Sequence, residues 1–247
     1  MEKLKCTISY DGTLFSGYQI QPNKRTVQGE IEAVLQTMHK GKFIRIHSSG
    51  RTDAGVHARH QVIHFETGLH IRTENWQKAL NAQLPDDIVV HDVERVDAQF
   101  HARFSAIEKE YRYFVLLTDT RDVFLRNYRY MTTDEFDDAN MQEACDVFKG
   151  THDFTAFSSA RATVKGDKVR TLYEVTFERR ANELMFMLRG NGFLYHMVRI
   201  IVSVILDAGK SIVSPEEIKT MFITKNRGNI GQTLPPQGLY LWDVKYN

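Results

Sequence analysis

Hydrophobic residues recur along the chain with either the two-residue period of a strand or the period of a helix, and the same order of strand and helix periods occurs twice. This repeat constrains the fold more than any other feature of the sequence. In the first hundred residues, alternation of apolar and polar residues predicts four strands, at 4–10, 44–48, 61–67 and 88–96. One helix is predicted between an N-cap at Thr26 and a stop at Gly41, and a second between a cap at Thr73 and Pro85. The predicted order is therefore β-α-β-β-α-β.

The second half repeats this order with longer insertions. Strands are predicted at 110–117, 169–179, 183–189 and 238–245. Helices are predicted at 137–149, at 193–208 and after the capping box that begins with Ser214-Pro215. The helix at 193–208 is apolar on most faces, so we expect it to be buried. The repeat predicts an α+β fold of two tandem ferredoxin-like halves, residues 1–104 and 105–247, that share a mixed, mainly antiparallel sheet.

The composition is ordinary for a globular protein, with 42% hydrophobic and 26% charged residues. The first residues alternate charged and apolar side chains, so no signal peptide is predicted. The longest apolar stretch, residues 197–206, contains Arg199 and is too short to cross a bilayer, so no membrane association is expected. The two cysteines, Cys6 and Cys145, lie far apart in sequence, which suits a reducing cytoplasm.

The 32 basic and 31 acidic residues nearly cancel, so the overall charge gives no indication of an anionic partner. A nucleic-acid ligand would have to bind to local patches. Residues 158–170 are basic, with Arg161, Lys165, Lys168 and Arg170 against Asp167 alone, whereas residues 134–146 carry six carboxylates and no Lys or Arg. Segregated charge of this kind is typical of a solvated surface as well as of a binding face.

The most unusual segment is residues 48–58, SSGRTDAGVHA, which follows a predicted strand. Glycines on both sides of Asp53 permit tight backbone conformations, and Arg51 places a guanidinium beside the carboxylate. A loop of this kind can present Asp53 at the end of a strand. An Asx-type turn, in which Asp53 only bonds its own backbone, remains an alternative.

The string GRTDAGVHA resembles the catalytic loop of the TruA family of tRNA pseudouridine synthases, and the resemblance runs nearly from end to end. The matching blocks are YDGT at 10–13, FSGYQ at 15–19, Asn81 with Leu84-Pro85 and Ile88, FHARFSA at 100–106, KEYRY at 109–113, GTHDF at 150–154, FLYHMVR at 193–199 and GLYL at 238–241. Since several long motifs occur in the right order, a chance match is excluded.

The resemblance implies a function and a site. It implies isomerisation of uridine to pseudouridine at positions 38, 39 and 40 of the tRNA anticodon stem-loop. A cytoplasmic homodimer with no metal or organic cofactor is also implied. Asp53 matches the catalytic aspartate, and Arg199 matches the arginine expected to pair with it. Tyr111 matches the active-site tyrosine that stacks on uracil, and Arg51 is expected to fill the space of the flipped base or to contact phosphate. Without the resemblance, Tyr111 would be interpreted as a core aromatic.

Other chemistries have weaker support in the sequence. His57, His60 and His64 could suggest a zinc site, but three histidines at this spacing meet only on a helix and a strand is predicted here. Asp53-Ala54-Gly55 faintly resembles an aspartic-protease loop, with no second matching loop in the sequence. A non-catalytic RNA-binding module and an aspartate-dependent hydrolase are the rival functions. A pseudouridine assay beside a protease assay separates them.

Overall fold

Ten β-strands of a mixed sheet and five α-helices are present in residues 1–159 and 167–247, the part of the chain that the structure, a computed structural model, describes. The α+β fold class is therefore confirmed. The chain divides into two compact units, residues 1–107 with 240–247 (unit 1) and residues 108–239 (unit 2). The last strand, which the sequence repeat assigns to the second half, thus clusters with unit 1.

Unit 1 has the predicted β-α-β-β-α-β order. Its elements are β1 (Glu2–Tyr10), α1 (Val27–Met38), β2 (His47–Ser48), β3 (His57–Thr67), α2 (Thr73–Asn81) and β4 (Ile88–Val96), followed by β10 (Leu239–Tyr246) from the end of the chain. The strand order is β4-β1-β3-β10, with β2 on β3. Strand β1 is antiparallel to both neighbours, and β10 joins β3 in parallel. The core contains Trp76, Phe65, Leu4 and Ile8, all fully buried.

Unit 2 contains β5 (Ala106–Leu117), β6 (Tyr130–Thr132), α3 (Asp138–Phe148), β7 (Gly150–Asp153), β8 (Val169–Arg180), β9 (Glu183–Gly190), α4 (Met197–Gly209) and α5 (Pro215–Thr224). Although β5 begins at Ala106, unit 2 itself starts at Glu108. The strand order is β5-β9-β8-β7, with β6 parallel to β5. Helix α4 is buried along almost its whole length, as its apolar faces predict. The capping box at Ser214 is also confirmed, because Ser214 and Glu217 exchange side-chain and backbone hydrogen bonds.

Helix α1 has the ends that its sequence predicts. The Thr26 hydroxyl oxygen accepts a hydrogen bond from Gly29 N–H at 3.3 Å and caps the first turn. The helix ends at Met38, and Gly41, at φ +91°, donates its N–H to the carbonyl of Gln36. Lys40 also has a left-handed backbone, at φ +55°, and its N–H donates to the Thr37 carbonyl at 3.1 Å, so Lys40 and Gly41 together end the helix.

Several predicted boundaries are wrong. The strand predicted at 44–48 shrinks to β2, because the Glu32 carboxylate accepts the Ile46 N–H at 3.0 Å in place of a neighbouring strand. Helix α2 starts at Thr73 itself, with Arg72 at the N-cap. The helix predicted at 193–208 starts at Met197, because the preceding residue, His196, has a left-handed backbone at φ +63°.

Within residues 1–159 and 167–247, no helix is long and apolar enough to span a membrane.

Candidate active site

The loop that carries Asp53 connects β2 and β3 in unit 1. The N–H of Val56 donates to the Asp53 backbone carbonyl at 3.1 Å and closes a turn, in which Gly55 has φ +77°. The Asp53 side chain is half-buried and that of Arg51 is exposed. The loop therefore presents the carboxylate without burying it, while its backbone is fixed by a tight turn.

The segment after β1 packs directly against this loop. Tyr18 N–H donates to the Thr52 carbonyl at 3.1 Å, and Gly55 N–H donates to the Phe15 carbonyl at 3.3 Å. Gly17 lies so close that an added Cβ would be 3.0 Å from the Thr52 carbonyl oxygen and 3.3 Å from the Asp53 carbonyl carbon. The close approach of these two segments fixes the loop on its second side, and it requires glycine at position 17.

A buried polar network forms the base of the loop. The Tyr10 hydroxyl lies 2.8 Å from Thr52 Oγ1, and Gln61 on β3 contacts Ser49, Gly50 and Tyr10. Burial raises the pKa of Tyr10 to about 12, although its hydrogen bonds with Thr52 and Gln61 oppose this shift. The Tyr10 hydroxyl is therefore neutral at physiological pH and can both donate and accept.

The far end of the loop is held by His57, the first residue of β3. Gly12 N–H donates to His57 Nδ1 at 3.0 Å, and the buried imidazole stacks on Tyr240 with ring centroids 4.6 Å apart. A Cβ on Gly12 would lie 2.1 Å from the Val56 carbonyl oxygen. Both ends of the loop are thus anchored to β1 and its following turn.

Tyr111 lies on β5 in unit 2, where its side chain is 8% exposed. Its ring meets that of Phe193 edge to face, with centroids 4.9 Å apart and planes at 73°. Residue 193 was predicted to be helical but precedes α4 in the structure. The aromatic pair fixes the plane of the Tyr111 ring within unit 2.

Arg199 lies in the first turn of α4 and is 9% exposed. Its Nε–H donates to the Leu234 carbonyl at 2.6 Å, and the next carbonyl, that of Pro235, accepts the hydroxyl of Tyr113 at 2.8 Å. Burial raises the pKa of Tyr113, and the positive charge of Arg199 opposes this shift. Arg199 therefore fixes the segment before β10 and is satisfied in part by a backbone carbonyl.

The four predicted site residues fall into two pairs. Arg51 and Asp53 share one loop of unit 1, and Tyr111 and Arg199 lie on β5 and α4 of unit 2. The sequence interpretation missed the network at the base of the loop, above all Gln61. Gln61 is fully buried in a strand beside the apolar Val62, Ile63 and Phe65, and this burial is visible only in the fold.

The three histidines of the sequence motif all lie on β3, which begins at His57, four residues before the strand predicted at 61–67. His57 and His64 are buried, and His60 Nδ1 lies 3.0 Å from the Asp243 carboxylate. Among residues 1–159 and 167–247, no group of three His, Cys, Asp or Glu side chains could hold a metal ion.

The basic segment is described only in part. Arg161 and Lys165 lie outside the described residues. Arg170 begins β8 with Val169, and its Nη1 donates to the carbonyls of Asp167 and Val169 at 3.2 and 2.6 Å. These bonds satisfy part of the Arg170 guanidinium within its own segment.

Comparisons with known proteins agree on one family. The family model described as tRNA pseudouridine synthase matches residues 7–105 and 144–247. The tRNA pseudouridine synthase A of Oceanobacillus iheyensis is 55% identical over 246 residues, which cover 100% of this chain and 97% of the relative. That of Bacillus subtilis is 54% identical over 246 residues and covers 99% of each chain.

Among solved structures, a chain from the crystal structure of a Cbf5-Nop10-Gar1 complex aligns with a TM-score of 0.38 and 12% identity. The alignment covers 94% of this chain and 56% of that one.

Proposed function

The chain belongs to the tRNA pseudouridine synthase A family, and on this basis we propose that it converts uridines 38, 39 and 40 of the tRNA anticodon stem-loop to pseudouridine with Asp53 as the catalytic residue. Members of this family are isomerases that act on tRNA. The choice of the three positions and of Asp53 comes from the resemblance of GRTDAGVHA and the other sequence blocks to the family.

The reaction is balanced without an external electron donor or acceptor. The bond between N1 of uracil and C1′ of the ribose breaks, the uracil rotates, and a bond forms between C5 and C1′. The C5 proton is then lost and N1 gains a proton, so substrate and product are isomers. This chemistry needs no redox cofactor, and we propose that the enzyme uses neither a metal nor an organic cofactor.

Asp53 can act in three ways. Its carboxylate can attack C1′ of the ribose, attack C6 of the uracil, or remove a ribose proton as a base on a glycal route. Each route needs the ionised carboxylate in a defined place. The turn between Asp53 and Val56, together with the contacts of Thr52 to Tyr10 and Tyr18, supplies that fixed place.

The other site residues have distinct proposed roles. Tyr111 stacks on the uracil and helps to remove the C5 proton. Arg51, exposed beside Asp53, fills the space of the flipped base or contacts phosphate. Arg199 supplies the positive charge that favours an ionised aspartate. The pairing of Arg199 with Asp53 stays a prediction from the resemblance.

The observation that carries the proposal is the half-buried Asp53 in a loop held from three sides by hydrogen bonds. An Asx-type surface turn needs no such support. The hydrogen bonds that hold the loop therefore favour a catalytic role for Asp53, since catalysis requires a fixed position.

We also propose that the enzyme works as a homodimer in the cytoplasm and that Lys168 and Arg170 contact the tRNA backbone together with Arg161 and Lys165. The cysteines support a reducing compartment, because Cys6 and Cys145 are both free and buried. Light scattering in solution tests the dimer.

Mapping of pseudouridine tests the substrate assignment. An unmodified tRNA transcript is incubated with or without the protein, and pseudouridines are located by chemical labelling and primer extension. Modification confined to positions 38, 39 and 40 supports the proposal. Modification elsewhere would refute the site assignment, and no modification would favour a binding module.

A further inference from the structure

Gln61 is a fully buried amide at the base of the Asp53 loop, eight residues further along the chain. Its Oε1 accepts from the Ser49 hydroxyl at 2.5 Å, and its Nε2 donates to the Gly50 carbonyl at 2.9 Å. Nε2 also lies 3.5 Å from the Tyr10 hydroxyl, which in turn bonds Thr52 Oγ1 at 2.8 Å. One side chain thus reaches the loop backbone directly at Gly50 and indirectly at Thr52.

The orientation of this amide is dictated by its partners. The Gly50 carbonyl can only accept, so it must face Nε2, and Oε1 is then left to accept the proton of Ser49. The second N–H of Nε2 points to Tyr10, whose own proton is free for Thr52. Because both N–H groups and the carbonyl are used, Gln61 fixes where Gly50 and Thr52 lie relative to β3.

We propose that Gln61 is a positioning residue for the pseudouridine reaction, acting through Gly50, Tyr10 and Thr52 to hold the Asp53 carboxylate at its reacting distance. The inference rests on the proposed catalytic role of Asp53. Asp53 follows Thr52 directly, so a shift of the Thr52 backbone displaces the carboxylate. Displacements near 1 Å at a reacting group cost about 100-fold in rate.

Gln61→Glu is the sharpest test, because it keeps the size and shape of the side chain and exchanges only the group that faces Gly50. When the introduced carboxyl group is ionised, one of its oxygens lies against the Gly50 carbonyl, and two acceptors repel each other. When the same group is protonated, it restores one O–H donor to Gly50. The variant should therefore lose activity as pH rises and regain it as pH falls, and circular dichroism at each pH separates this effect from unfolding, which an ionised buried carboxylate also favours.

The measurement is the single-turnover rate of pseudouridine formation on a tRNA transcript from pH 5.5 to 9, with tRNA affinity measured by filter binding. We expect Gln61→Glu to be roughly 10- to 100-fold slower than wild type at pH 9 with tRNA Kd within about threefold. The ratio of variant to wild-type rate should rise at least roughly threefold toward pH 5.5. Gln77→Glu is the matched control, since Gln77 Nε2 donates to the His91 carbonyl at 2.6 Å in the same unit, and it should keep the wild-type rate.

Tyr10→Phe keeps the inference testable if Gln61→Glu does not fold. This change removes only the hydroxyl that links Gln61 to Thr52, and we expect a rate loss of roughly 5- to 20-fold with unchanged tRNA affinity. Thr37→Val, which removes a hydroxyl bonded to the Ala33 carbonyl at 3.1 Å in the same unit, should keep the wild-type rate.

The outcomes separate the two proposals. Wild-type rates for both folded Gln61→Glu and Tyr10→Phe across the pH range would overturn the positioning role while leaving the proposed function intact. The absence of turnover in wild type itself would overturn the proposed function, and this inference with it.

Discussion

Arg199 donates its Nε–H to the backbone carbonyl of Leu234 at 2.6 Å, so a charged side chain of α4 holds the segment that leads into the last strand. Arg199→Lys keeps the charge and loses the planar guanidinium that fits this bond. We expect a loss of about 1–3 kcal/mol in the free energy of unfolding, because a buried carbonyl loses a charged donor. Urea unfolding measures the change.

Arg180→Lys is the control for Arg199→Lys. The Arg180 side chain is 82% exposed and pairs with Glu178, so its replacement should change stability by less than about 0.5 kcal/mol. Equal unfolding midpoints for Arg199→Lys and wild type would show that the Leu234 bond contributes nothing.

Gly17→Ala should lower the turnover rate, because the new methyl group would press on the backbone of Thr52 and Asp53. Gly41→Ala provides a matched control: Gly17 and Gly41 have φ of +97° and +91°, but nothing lies within 4 Å of a Cβ at Gly41. Both variants should lose about 1–2 kcal/mol of stability to backbone strain. Only Gly17→Ala should be slower in a turnover assay, and equal rates for the two variants would contradict contact-driven displacement of the loop.

Loss of the Tyr111 hydroxyl should leave tRNA binding unchanged, whereas loss of the Tyr111 ring should abolish activity. Tyr111→Phe keeps the edge-to-face contact with Phe193 and the stacking surface, so tRNA affinity should match that of wild type. Tyr111→Leu should lose activity, and the rate of Tyr111→Phe reports whether the hydroxyl takes part in removing the C5 proton. Full activity of Tyr111→Leu would remove Tyr111 from the site.

His64 should make the protein sensitive to acid. Burial, together with the positive charges of His101, His47 and Lys3, lowers the pKa of His64 from 6.5 to about 4. The unfolded chain therefore binds this proton more readily than the folded one. Stability is unaffected above pH 6.5 and is lost as pH falls toward 4, by up to roughly 3 kcal/mol.

His64→Phe should flatten the dependence of urea-unfolding free energy on pH between 6.5 and 4. His60→Gln is the control, since His60 lies on the same strand but is half-exposed beside Asp243. A pH slope in His64→Phe as steep as in wild type would assign the acid sensitivity to other groups.

Sequence patterns predicted most elements because local chemistry determined them. Thr26 and the capping box of Ser214 mark helix starts through their own side chains, and Ala181-Asn182 joins β8 and β9 as a two-residue turn with Ala181 at φ +51°. The boundary of β2 failed because it depends on a distant partner. The Glu32 carboxylate accepts a hydrogen bond from the Ile46 N–H, and no local sequence pattern predicts that contact.

The candidate site shows the same division. Asp53 and Arg51 could be identified because they occur in one long motif, and the structure places them in a loop between two strands. Gln61 could not, because its importance arises from tertiary contacts with Ser49, Gly50 and Tyr10 that only the fold brings together. Hydrogen-bond satisfaction of a buried amide is a property of the folded chain.

Asp53→Asn separates an enzyme from a binding module. Asparagine keeps the shape of the side chain and most of its hydrogen-bonding capacity, while the charge and the nucleophile are lost. The variant should fold like wild type and bind tRNA with similar affinity, because phosphate contacts and stacking dominate RNA binding. The direct measurement is tritium release from tRNA labelled at C5 of uracil, which reports loss of the C5 proton. We predict release by wild type and none above background by Asp53→Asn, whereas appreciable release by the folded variant would contradict catalysis by Asp53.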